Sequence, residues 1–363
     1  MNNFFIITAL GFEAETEKEI HFWLSLQNCE YITKIAKGGV ELSCPLMAGF
    51  ELNSRLKLAT RILLRLEEFP VYFFNDLEKK IKKIQFKKYY PEGVPILIKV
   101  DAKKSKLGQE KKIFEVFKEV FKKNKVFAKP TEAPPEALVL YVDIYRDICK
   151  LSFDSSGEPL YKRSSTKLNS EAPMRETIAH WGLLRMLELA SPWEKPLSFV
   201  DPFCGSGTLL LEALNFFETN KRAFAFESVH PKITVAPLKE QQFPFLNYHA
   251  IDVSSESLAI CKANLKKSPQ FEKIHFYNED SFKIKMKTLK ESQVSWIYSN
   301  LPYGKRLENQ LPKNLIEILF QNYQPKIIGL FHPEKWTHEK AIKTEHLKIE
   351  NGGLKLCFSI LLF

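Results

Sequence analysis

The chain has 363 residues, 45% of them hydrophobic, and its 53 Lys and Arg against 43 Asp and Glu give a net charge of +10. This length allows two or three domains, and the basic excess fits a polyanionic partner and a merely Lys-rich protein equally well. The six cysteines form no C-x-x-C pair and the eight histidines show no ligand spacing, so we expect neither a metal site nor disulfides. No signal peptide opens the chain and no apolar run reaches membrane-spanning length, which favours a cytoplasmic protein with no membrane partner.

Residues 1–70 predict the β-α-β-β-α-β order of a ferredoxin-like unit. The expected strands cover 4–9, 30–36, 39–43 and 64–69, and the expected helices cover 13–26 and 50–64. A basic region follows, with sixteen lysines and five acids between Lys79 and Lys125. It predicts helices over 76–84 and 109–123 around a strand over 95–101, then strands over 138–144 and 148–153 joined by a turn. The lysines indicate either a solvated face or a phosphate-binding surface.

From residue 197 onward, strands and helices alternate as in a doubly wound α/β sheet. The expected strands cover 197–201, 245–253, 274–278, 294–299, 326–331 and 354–363, with a helix over 255–267. Polar residues follow four of these strands, namely Asp201, Asp252, Asp280 and Asn300. Because ligands of such sheets bind beyond the carboxyl ends of the strands, we expect these side chains to converge on one crevice. Their chemistry fits a nucleoside-bearing ligand, although Asp252 also fits the N-cap of the next helix, where Ser254 or Ser255 are alternatives.

The stretch Ser198–Leu214 predicts a strand, a tight glycine turn and a helix. Glycines allow a ligand to approach the backbone, and the start of a helix offers unpaired N–H groups. The turn lacks the Gly-Lys-Ser/Thr of a P-loop and the G-x-G-x-x-G of a dinucleotide fold. The run Asp201-Pro-Phe-Cys-Gly-Ser-Gly-Thr208 instead resembles the first S-adenosylmethionine motif of class I methyltransferases, and most closely that of THUMP-domain RNA guanine-N2 methyltransferases. An ordinary βα turn without a ligand is the alternative.

This resemblance implies a Rossmann-like class I methyltransferase domain over 164–363 that binds S-adenosylmethionine without a metal. Asp201 is expected at the methionine ammonium and Asp252 at the ribose hydroxyls. The adenine amino group is assigned to Asp280, with the adjacent Glu279 as a competitor. The implied cofactor-binding set is Glu176, Asp201, Phe203, Cys204, Gly205, Ser206, Gly207, Thr208, Asp252, Asp280 and Asn300.

Residues 50–163 resemble a THUMP domain. The resemblance is carried by the segments 58–66, 104–107 and 151–160. Together with the opening unit it gives domains over 1–70, 71–163 and 164–363. Because the THUMP domain of that family binds RNA, the resemblance favours the phosphate-binding interpretation of the lysines.

The junction between the two halves only partly follows the family pattern. Ser164–Thr166 stand where the family usually has Gly-Tyr-Arg, which puts a contact of the missing arginine in doubt. Residues 164–172 are a plausible linker. Ala172, Pro173 and Glu176 match a family pattern at the cofactor entrance, with Pro173 expected in the first turn of a helix. The segment 216–246 is longer than a usual loop and matches a family insertion, whose role the sequence does not reveal.

Asn300-Leu-Pro-Tyr303 follows the fourth strand of the sheet. The tetrad is typical of methyltransferases that act on a planar exocyclic or amide nitrogen, and Asn300, Pro302 and Tyr303 are the expected catalytic residues. The Asn300 oxygen and a carbonyl near Leu301 can accept from an –NH₂ group, Pro302 stiffens the turn, and Tyr303 can stack on a base. The family usually has Pro at Leu301, so we expect activity but a less rigid loop. Lys305 and Arg306 are candidates for RNA phosphates.

The resemblance as a whole implies a guanine-N2 methyltransferase of RNA, with ribosomal RNA as the first expected substrate and tRNA as the second. One alternative is an amino-methyltransferase for adenine N6 or for a protein glutamine, which share the Asn-x-Pro-Tyr tetrad. Another is a non-catalytic RNA-binding or assembly factor that kept the fold. The sequence does not choose the nucleotide or the oligomeric state.

Overall fold

The computed structural model divides the chain into two compact units. The first consists of Met1–Arg163 with Thr219–Pro237, and the second of Ser164–Glu218 with Leu238–Phe363. The residues described below are 1–163, 174–190, 197–219, 222–230, 245–284, 294–303, 311–351 and 353–363. No helix within these ranges is long and apolar enough to cross a membrane.

One eight-stranded sheet forms the framework of the first unit. Its elements, in chain order, are β1 (Asn2–Thr8), α1 (Glu13–Ser25), β2 (Ile32–Ala36), β3 (Gly39–Cys44), α2 (Leu46–Arg55), β4 (Ala59–Pro70), α3 (Phe74–Ile81), β5 (Ile96–Lys103), α4 (Glu110–Val120), β6 (Val126–Phe127), β7 (Leu138–Tyr145) and β8 (Ile148–Asp154). The strand order is β2-β3-β1-β4-β8-β7-β5-β6. The first four strands agree with the predicted β-α-β-β-α-β order.

Strand β4 joins the two halves of this sheet. Leu64 is paired with Phe4 of β1 on one side and with Phe153 of β8 on the other. The domain boundary predicted at residue 70 therefore falls inside a continuous sheet, and residues 1–163 belong to one compact unit.

The helix predicted over residues 50–64 is wrong in its second half, because α2 ends at Arg55 and β4 begins at Ala59. The main-chain N–H groups of Lys57 and Leu58 donate to the buried carboxylate of Glu19, at 2.9 and 3.0 Å, rather than to helix carbonyls. Beyond this break, the chain gains strand partners on both sides. Tertiary pairing therefore overrides the helical spacing of the leucines.

Part of the insertion between the predicted first and second strands of the methyltransferase sheet belongs to the first unit. Phe226 is fully buried there, stacked on Phe50 with a ring separation of 4.8 Å and an interplanar angle of 4°. Its N–H donates to the carbonyl of Ser155 at 3.1 Å. Ala225 packs against Gly157. This segment therefore completes the core of the first unit, a role that the sequence did not reveal.

The second unit contains a seven-stranded sheet. Its elements are α5 (Glu176–Leu189), β9 (Leu197–Asp201), α6 (Thr208–Leu214), β10 (Phe245–Ile251), α7 (Ser255–Leu265), β11 (Ile274–Tyr277), β12 (Val294–Asn300), α8 (Leu315–Tyr323), β13 (Ile327–His332), β14 (Lys343–Asn351) and β15 (Leu354–Leu362). The order is β11-β10-β9-β12-β13-β15-β14, with β15 antiparallel to its neighbours and the strands from β11 to β13 parallel. The doubly wound prediction is confirmed. The strand order reverses between β9 and β12, which makes this the switch point where ligands of such sheets bind.

Helix α5 begins at Glu176. Two details of the second unit differ from expectation. Helix α8 was not predicted. Strand β14 was also missed, because it is an edge strand whose residues are mostly polar and half-exposed, which weakens the alternation that identifies a strand.

Candidate active site

Four polar residues gather at the edge of the second sheet where its parallel strands end. Asp201 and Asn300 are the last residues of β9 and β12, Asp252 directly follows β10, and Asp280 lies three residues beyond β11. These four strands are neighbours in the order β11-β10-β9-β12. Asp201 and Asn300 flank the switch point itself.

The glycine turn after β9 is tied to the end of β10. Cys204 donates its N–H to the carbonyl of Ile251 at 2.9 Å, and Gly205 donates to Oδ2 of Asp252 at 2.8 Å. The N–H of Gly207 is also used inside the turn, where it donates to the carbonyl of Cys204. These three N–H groups are therefore engaged within the protein, and the N–H groups predicted to meet a ligand are those at the start of the following helix, Thr208–Leu214.

The two glycines of the turn have different reasons to be glycine. Gly207 has φ +81°, and a Cβ there would come within 2.6 Å of the Cys261 sulfur on α7. It therefore permits a close approach of two backbones. Gly205 has φ +50°, but a Cβ there would meet no atom within 4 Å. The space above Gly205 is open, as a turn that receives a ligand requires.

Hydrogen bonds fix the carboxylate of Asp252. Oδ1 accepts from the N–H of Ser254 at 2.9 Å, while Oδ2 accepts from Gly205. The N-cap of α7 is Ser254, whose hydroxyl accepts from the N–H of Ser257 at 3.1 Å. The capping alternative for Asp252 is thereby excluded. Asn278, which sequence reasoning missed, holds the same corner by donating to the carbonyls of Asp252 and Val253.

Asp280 begins a tight turn after β11. Its Oδ1 accepts from the N–H of Phe282 at 3.0 Å, and Oδ2 lies 3.3 Å from the ammonium of Lys283. The Phe282 ring lies 5.7 Å from that of Phe203, which brings the glycine turn and the Asp280 turn together. The neighbouring Glu279 is exposed. An apolar wall beside half-buried Asp280 suits a flat heterocycle with an amino group.

Asp201 is buried, with 1% of its surface exposed. Oδ1 accepts from the Ser299 hydroxyl at 2.6 Å and from the N–H of Phe203 at 3.3 Å. Burial raises the pKa of this carboxyl to about 7, while the two hydrogen bonds oppose the shift. A cation placed beside it would restore the ionised form.

The Asn300 amide oxygen is buried and accepts no hydrogen bond from any described residue. Such an orphaned acceptor is rare in a folded core and marks a place where a ligand can donate. Leu301 is fully buried and donates its N–H to the carbonyl of Phe331 at 3.1 Å. The loop is thus anchored at the position where we expected leucine to loosen it. Pro302 and Tyr303 follow, both half-buried.

An aromatic cluster at the end of β13 was not foreseen. The ring of His332 lies 6.2 Å from that of Tyr303 and 5.6 Å from that of Trp336. Nδ1 of His332 accepts from the N–H of Glu334 at 3.1 Å, which places the proton of the neutral ring on Nε2. Burial lowers the pKa of His332 and keeps it neutral. The sequence carried no spacing signal for this cluster.

The remaining predicted residues are placed as follows. Glu176 is half-buried at the start of α5. Cys204 and Ser206 are buried in the glycine turn, and Thr208 is buried as the first residue of α6. The Ser206 carbonyl accepts from the Asn264 side chain at 2.9 Å. Other positions named from the sequence lie outside the described residues: Ser164–Thr166, Ala172, Pro173, Lys305 and Arg306.

The strand order with its antiparallel β15 and the polar edge around the glycine turn define a class I methyltransferase fold. Residues 163–346, more than half of the chain, match the family described as RMKL-like, methyltransferase domain, and the chain belongs to this family. Its cofactor is therefore S-adenosylmethionine.

Solved structures share this fold over nearly the whole chain. A possible methylase from Clostridium difficile 630 has a TM-score of 0.71 at 24% identity, covering 99% of this chain and 98% of that one. SMU.472, a putative methyltransferase complexed with SAH, has a TM-score of 0.70 at 21% identity, and the match covers 99% of this chain and 98% of that one. A chain described as a predicted N6-adenine-specific DNA methylase from Listeria monocytogenes str. 4b F2365 has a TM-score of 0.67 at 21% identity, and the match covers 99% of this chain and 95% of that one.

The residues at the edge of the second sheet fit this cofactor chemically. Three carboxylates at successive strand ends match its ammonium, hydroxyl and amino donors. The open space above Gly205 admits its approach to the backbone. Asn300 adds a buried acceptor that has no hydrogen-bond partner among the described residues.

Proposed function

We propose that the chain transfers a methyl group from S-adenosylmethionine to the exocyclic N2 of a guanosine in RNA, ribosomal RNA being the first substrate and tRNA the second. The observation that carries the proposal is the buried Oδ1 of Asn300 at the switch point, which accepts no hydrogen bond within the described part of the chain. An –NH₂ group is a donor that suits it. The motif resemblances at 201–208, 300–303 and 50–163 support guanosine and RNA over other amines.

The cofactor supplies an activated methyl group on a sulfonium, and in the transfer an N–CH₃ bond forms as the S–CH₃ bond breaks. S-adenosylhomocysteine leaves with the electron pair of the broken bond, and the amine loses one proton to solvent. The protein's part is to position the amine. Asn300 accepts a hydrogen bond from one N–H of the amine, which leaves the nitrogen lone pair directed at the methyl group. The Tyr303 ring is placed to stack on the base, and a base inside a duplex must first be flipped out.

Asp201, Asp252 and Asp280, with the turn from Phe203 to Thr208, are the proposed cofactor contacts. Asp201 lies beside the ammonium, Asp252 accepts from the ribose hydroxyls, and Asp280 accepts from the adenine amino group. Glu176 is proposed at the cofactor entrance. The preset hydrogen bonds of Asp252 and Asp201 support these roles, because they fix the carboxylates before a ligand arrives.

The test is methyl transfer from labelled S-adenosylmethionine to total RNA of a strain lacking the protein, followed by nucleoside analysis. We expect label in N2-methylguanosine, lost with Asn300→Ala. Tyr303→Phe, which keeps the ring, should retain more activity than Tyr303→Ala. The size of the labelled RNA separates ribosomal RNA from tRNA.

Two other outcomes have distinct meanings. Label in N6-methyladenosine would replace the guanosine assignment and agree with the description of the Listeria chain. No label in any RNA, with the cofactor and RNA both bound, would reject the proposed reaction in favour of a binding factor.

A further inference from the structure

Three loops meet at one edge of the eight-stranded sheet of the first unit. The first loop follows β4 (residues 71–74), the second follows β5 (103–107), and the third joins β7 to β8 (145–147). We refer to these residues together as the three-loop patch. Asp147 holds the loops together. Its carboxylate accepts from the Ser105 hydroxyl at 2.7 Å and from the N–H of Lys106 at 2.8 Å, and its carbonyl accepts from the N–H of Val71 at 2.7 Å.

The patch concentrates exposed aromatic rings. Tyr72, Phe73 and Tyr145 are 48%, 66% and 49% exposed. Among the Phe, Tyr and Trp side chains of the described ranges, the next most exposed are Tyr161 and Phe22, at 42% and 40%. Exposed rings of this kind lose contact with water only when a partner covers them, so their grouping indicates a binding surface.

Cations lie against these rings. The ammonium of Lys106 is 5.4 Å from the centre of the Tyr72 ring, while Lys104 and Arg146 lie 5.8 and 5.4 Å from the Tyr145 ring. The charge of Arg146, followed by that of Lys104, lowers the pKa of Tyr145.

In the described part of the chain, none of these three cations is paired with a carboxylate. Lysines on the neighbouring helices differ, since Lys82 pairs with Glu78 and Lys118 with Glu115. The positive charge of the patch is therefore available to an anionic partner.

The turn between β7 and β8 breaks a local rule. It has two residues, Arg146 and Asp147, with φ +49° and +61°, a geometry that favours Asn and Gly. Asp147 is explained by the loops that it holds. The Arg146 guanidinium contacts the Tyr145 side chain, and among the described residues it has no carboxylate partner. A residue held at positive φ against the local preference is expected at a functional site.

We propose that the three-loop patch binds unpaired nucleotides of the RNA substrate. Phe73 and Tyr72 present faces on which bases stack, and Lys104, Lys106 and Arg146 contact the phosphates between them. Stacking requires bases that are not already paired, because a duplex hides the faces of its bases. The proposal rests on the proposed function for the identity of the substrate as RNA.

The test is fluorescence anisotropy of the full-length protein with a labelled oligoribonucleotide of about 12 nucleotides, single-stranded or annealed to its complement. We expect tighter binding of the single strand. Phe73→Ala should weaken it about fivefold or more and change duplex binding little. Phe22→Ala, at an exposed ring outside the patch, is the matched control.

Arg146→Asn separates binding from folding. Asparagine suits the positive φ, so the melting temperature should be equal or higher while single-strand binding weakens. The slope of affinity against salt should fall by about 0.7 for the lost phosphate contact. Arg146→Lys should retain binding, and Lys82→Ala is the control for a paired surface lysine.

Equal affinity for single strand and duplex, or unchanged single-strand binding in Phe73→Ala and Arg146→Asn, would overturn the patch. A protein or other partner would then have to cover the rings. The assay does not depend on methyl transfer. If the patch variants lose single-strand binding, the patch is supported even where nucleoside analysis rejects the proposed reaction. If they keep single-strand binding, the patch is rejected even where methylation proceeds.

Discussion

Ser299 donates a 2.6 Å hydrogen bond to Oδ1 of Asp201, and this bond crosses the switch point between β12 and β9. It joins the residue before the candidate amine acceptor, Asn300, to the carboxylate proposed for the cofactor ammonium. This buried side-chain bond adds to the main-chain pairing of β12 with β9 in fixing the two residues relative to each other. Its strength depends on how far Asp201 is ionised.

Stability should depend on pH through Asp201. The carboxyl has a pKa of about 7 in the folded protein, against an ordinary value of 3.8. Between these values the folded protein holds a proton that the unfolded chain has released, so stability falls as pH rises from about 4 to about 7. Asp201→Asn removes this dependence. Relative to wild type, the variant should gain up to about 4 kcal/mol between pH 4 and pH 8.

Urea unfolding at a series of pH values measures this gain. Asp280→Asn, which removes a half-exposed carboxylate beside Lys283, is measured in parallel as the control for the loss of a carboxylate at this site. A difference between Asp201→Asn and wild type that does not change with pH would contradict the buried, protonated carboxyl.

The two glycines of the turn should respond differently to alanine. Gly207→Ala forces a Cβ against the Cys261 sulfur, so we expect a clear loss of stability, partly restored by adding Cys261→Ala. Gly205→Ala has free space and should lose only about 1 kcal/mol from its positive φ. Cofactor affinity should nevertheless fall at least about tenfold in Gly205→Ala, because the methyl group enters the proposed binding space.

Isothermal calorimetry for the cofactor and thermal unfolding for stability separate these effects. If Gly205→Ala binds the cofactor as tightly as wild type, the cofactor does not occupy the space above Gly205.

Leu301→Pro should destabilise the chain, although the methyltransferase motif that this loop resembles usually has proline there. The substitution removes the N–H that donates to Phe331 and leaves a buried carbonyl unsatisfied, a loss of about 1–3 kcal/mol that adds to the lost leucine packing. Leu301→Ala keeps the N–H and reports the loss of side-chain packing alone, about 2–5 kcal/mol. Denaturant unfolding should place Leu301→Pro below Leu301→Ala, and equal stabilities would refute the role of the hydrogen bond.

His332 should keep its proton on Nε2. Because Nδ1 accepts from the N–H of Glu334 and burial lowers the pKa, the ring stays neutral below its ordinary value of 6.5. Its contribution to stability is present above that value and is lost as pH falls towards the lowered pKa. Nitrogen-15 NMR of the imidazole identifies the tautomer directly, and a protonated Nδ1 at pH 7 would contradict the structure.

Phe226→Ala should weaken the first unit although the residue lies between two strands of the second. Removing a fully buried ring stacked on Phe50 costs about 3–5 kcal/mol. Hydrogen exchange should then increase in residues 1–163 before it increases in the second sheet. Phe245→Ala, buried in β10, should give the opposite pattern.

The sequence predicted the parts of the molecule whose signals are local. The strand, turn and helix around Gly205 and the strand-end positions of Asp201, Asp252 and Asn300 follow from the pattern of nearby residues. The helix expected beyond Arg55 failed because a distant carboxylate, Glu19, takes the N–H groups that would have continued it.

Other features depended on contacts that no spacing encodes. His332 and Trp336 reach the site through the fold of β13 and the loop after it, and neither lies in a motif. The destination of Phe226 depends on Phe50, 176 positions earlier in the chain. The pairing of β4 with strands on both sides, across the boundary predicted at residue 70, likewise depends on distant segments.

The return of Thr219–Pro237 to the first unit has a consequence for how the protein is made. When the first 163 residues have left the ribosome, the ring that covers Phe50 has not yet been synthesised. The nascent first unit can complete its core only after the glycine turn and the helix that follows it have also emerged. The same dependence limits how relatives can exchange modules, since a first unit transferred without Phe226 and its neighbours would arrive with an open core.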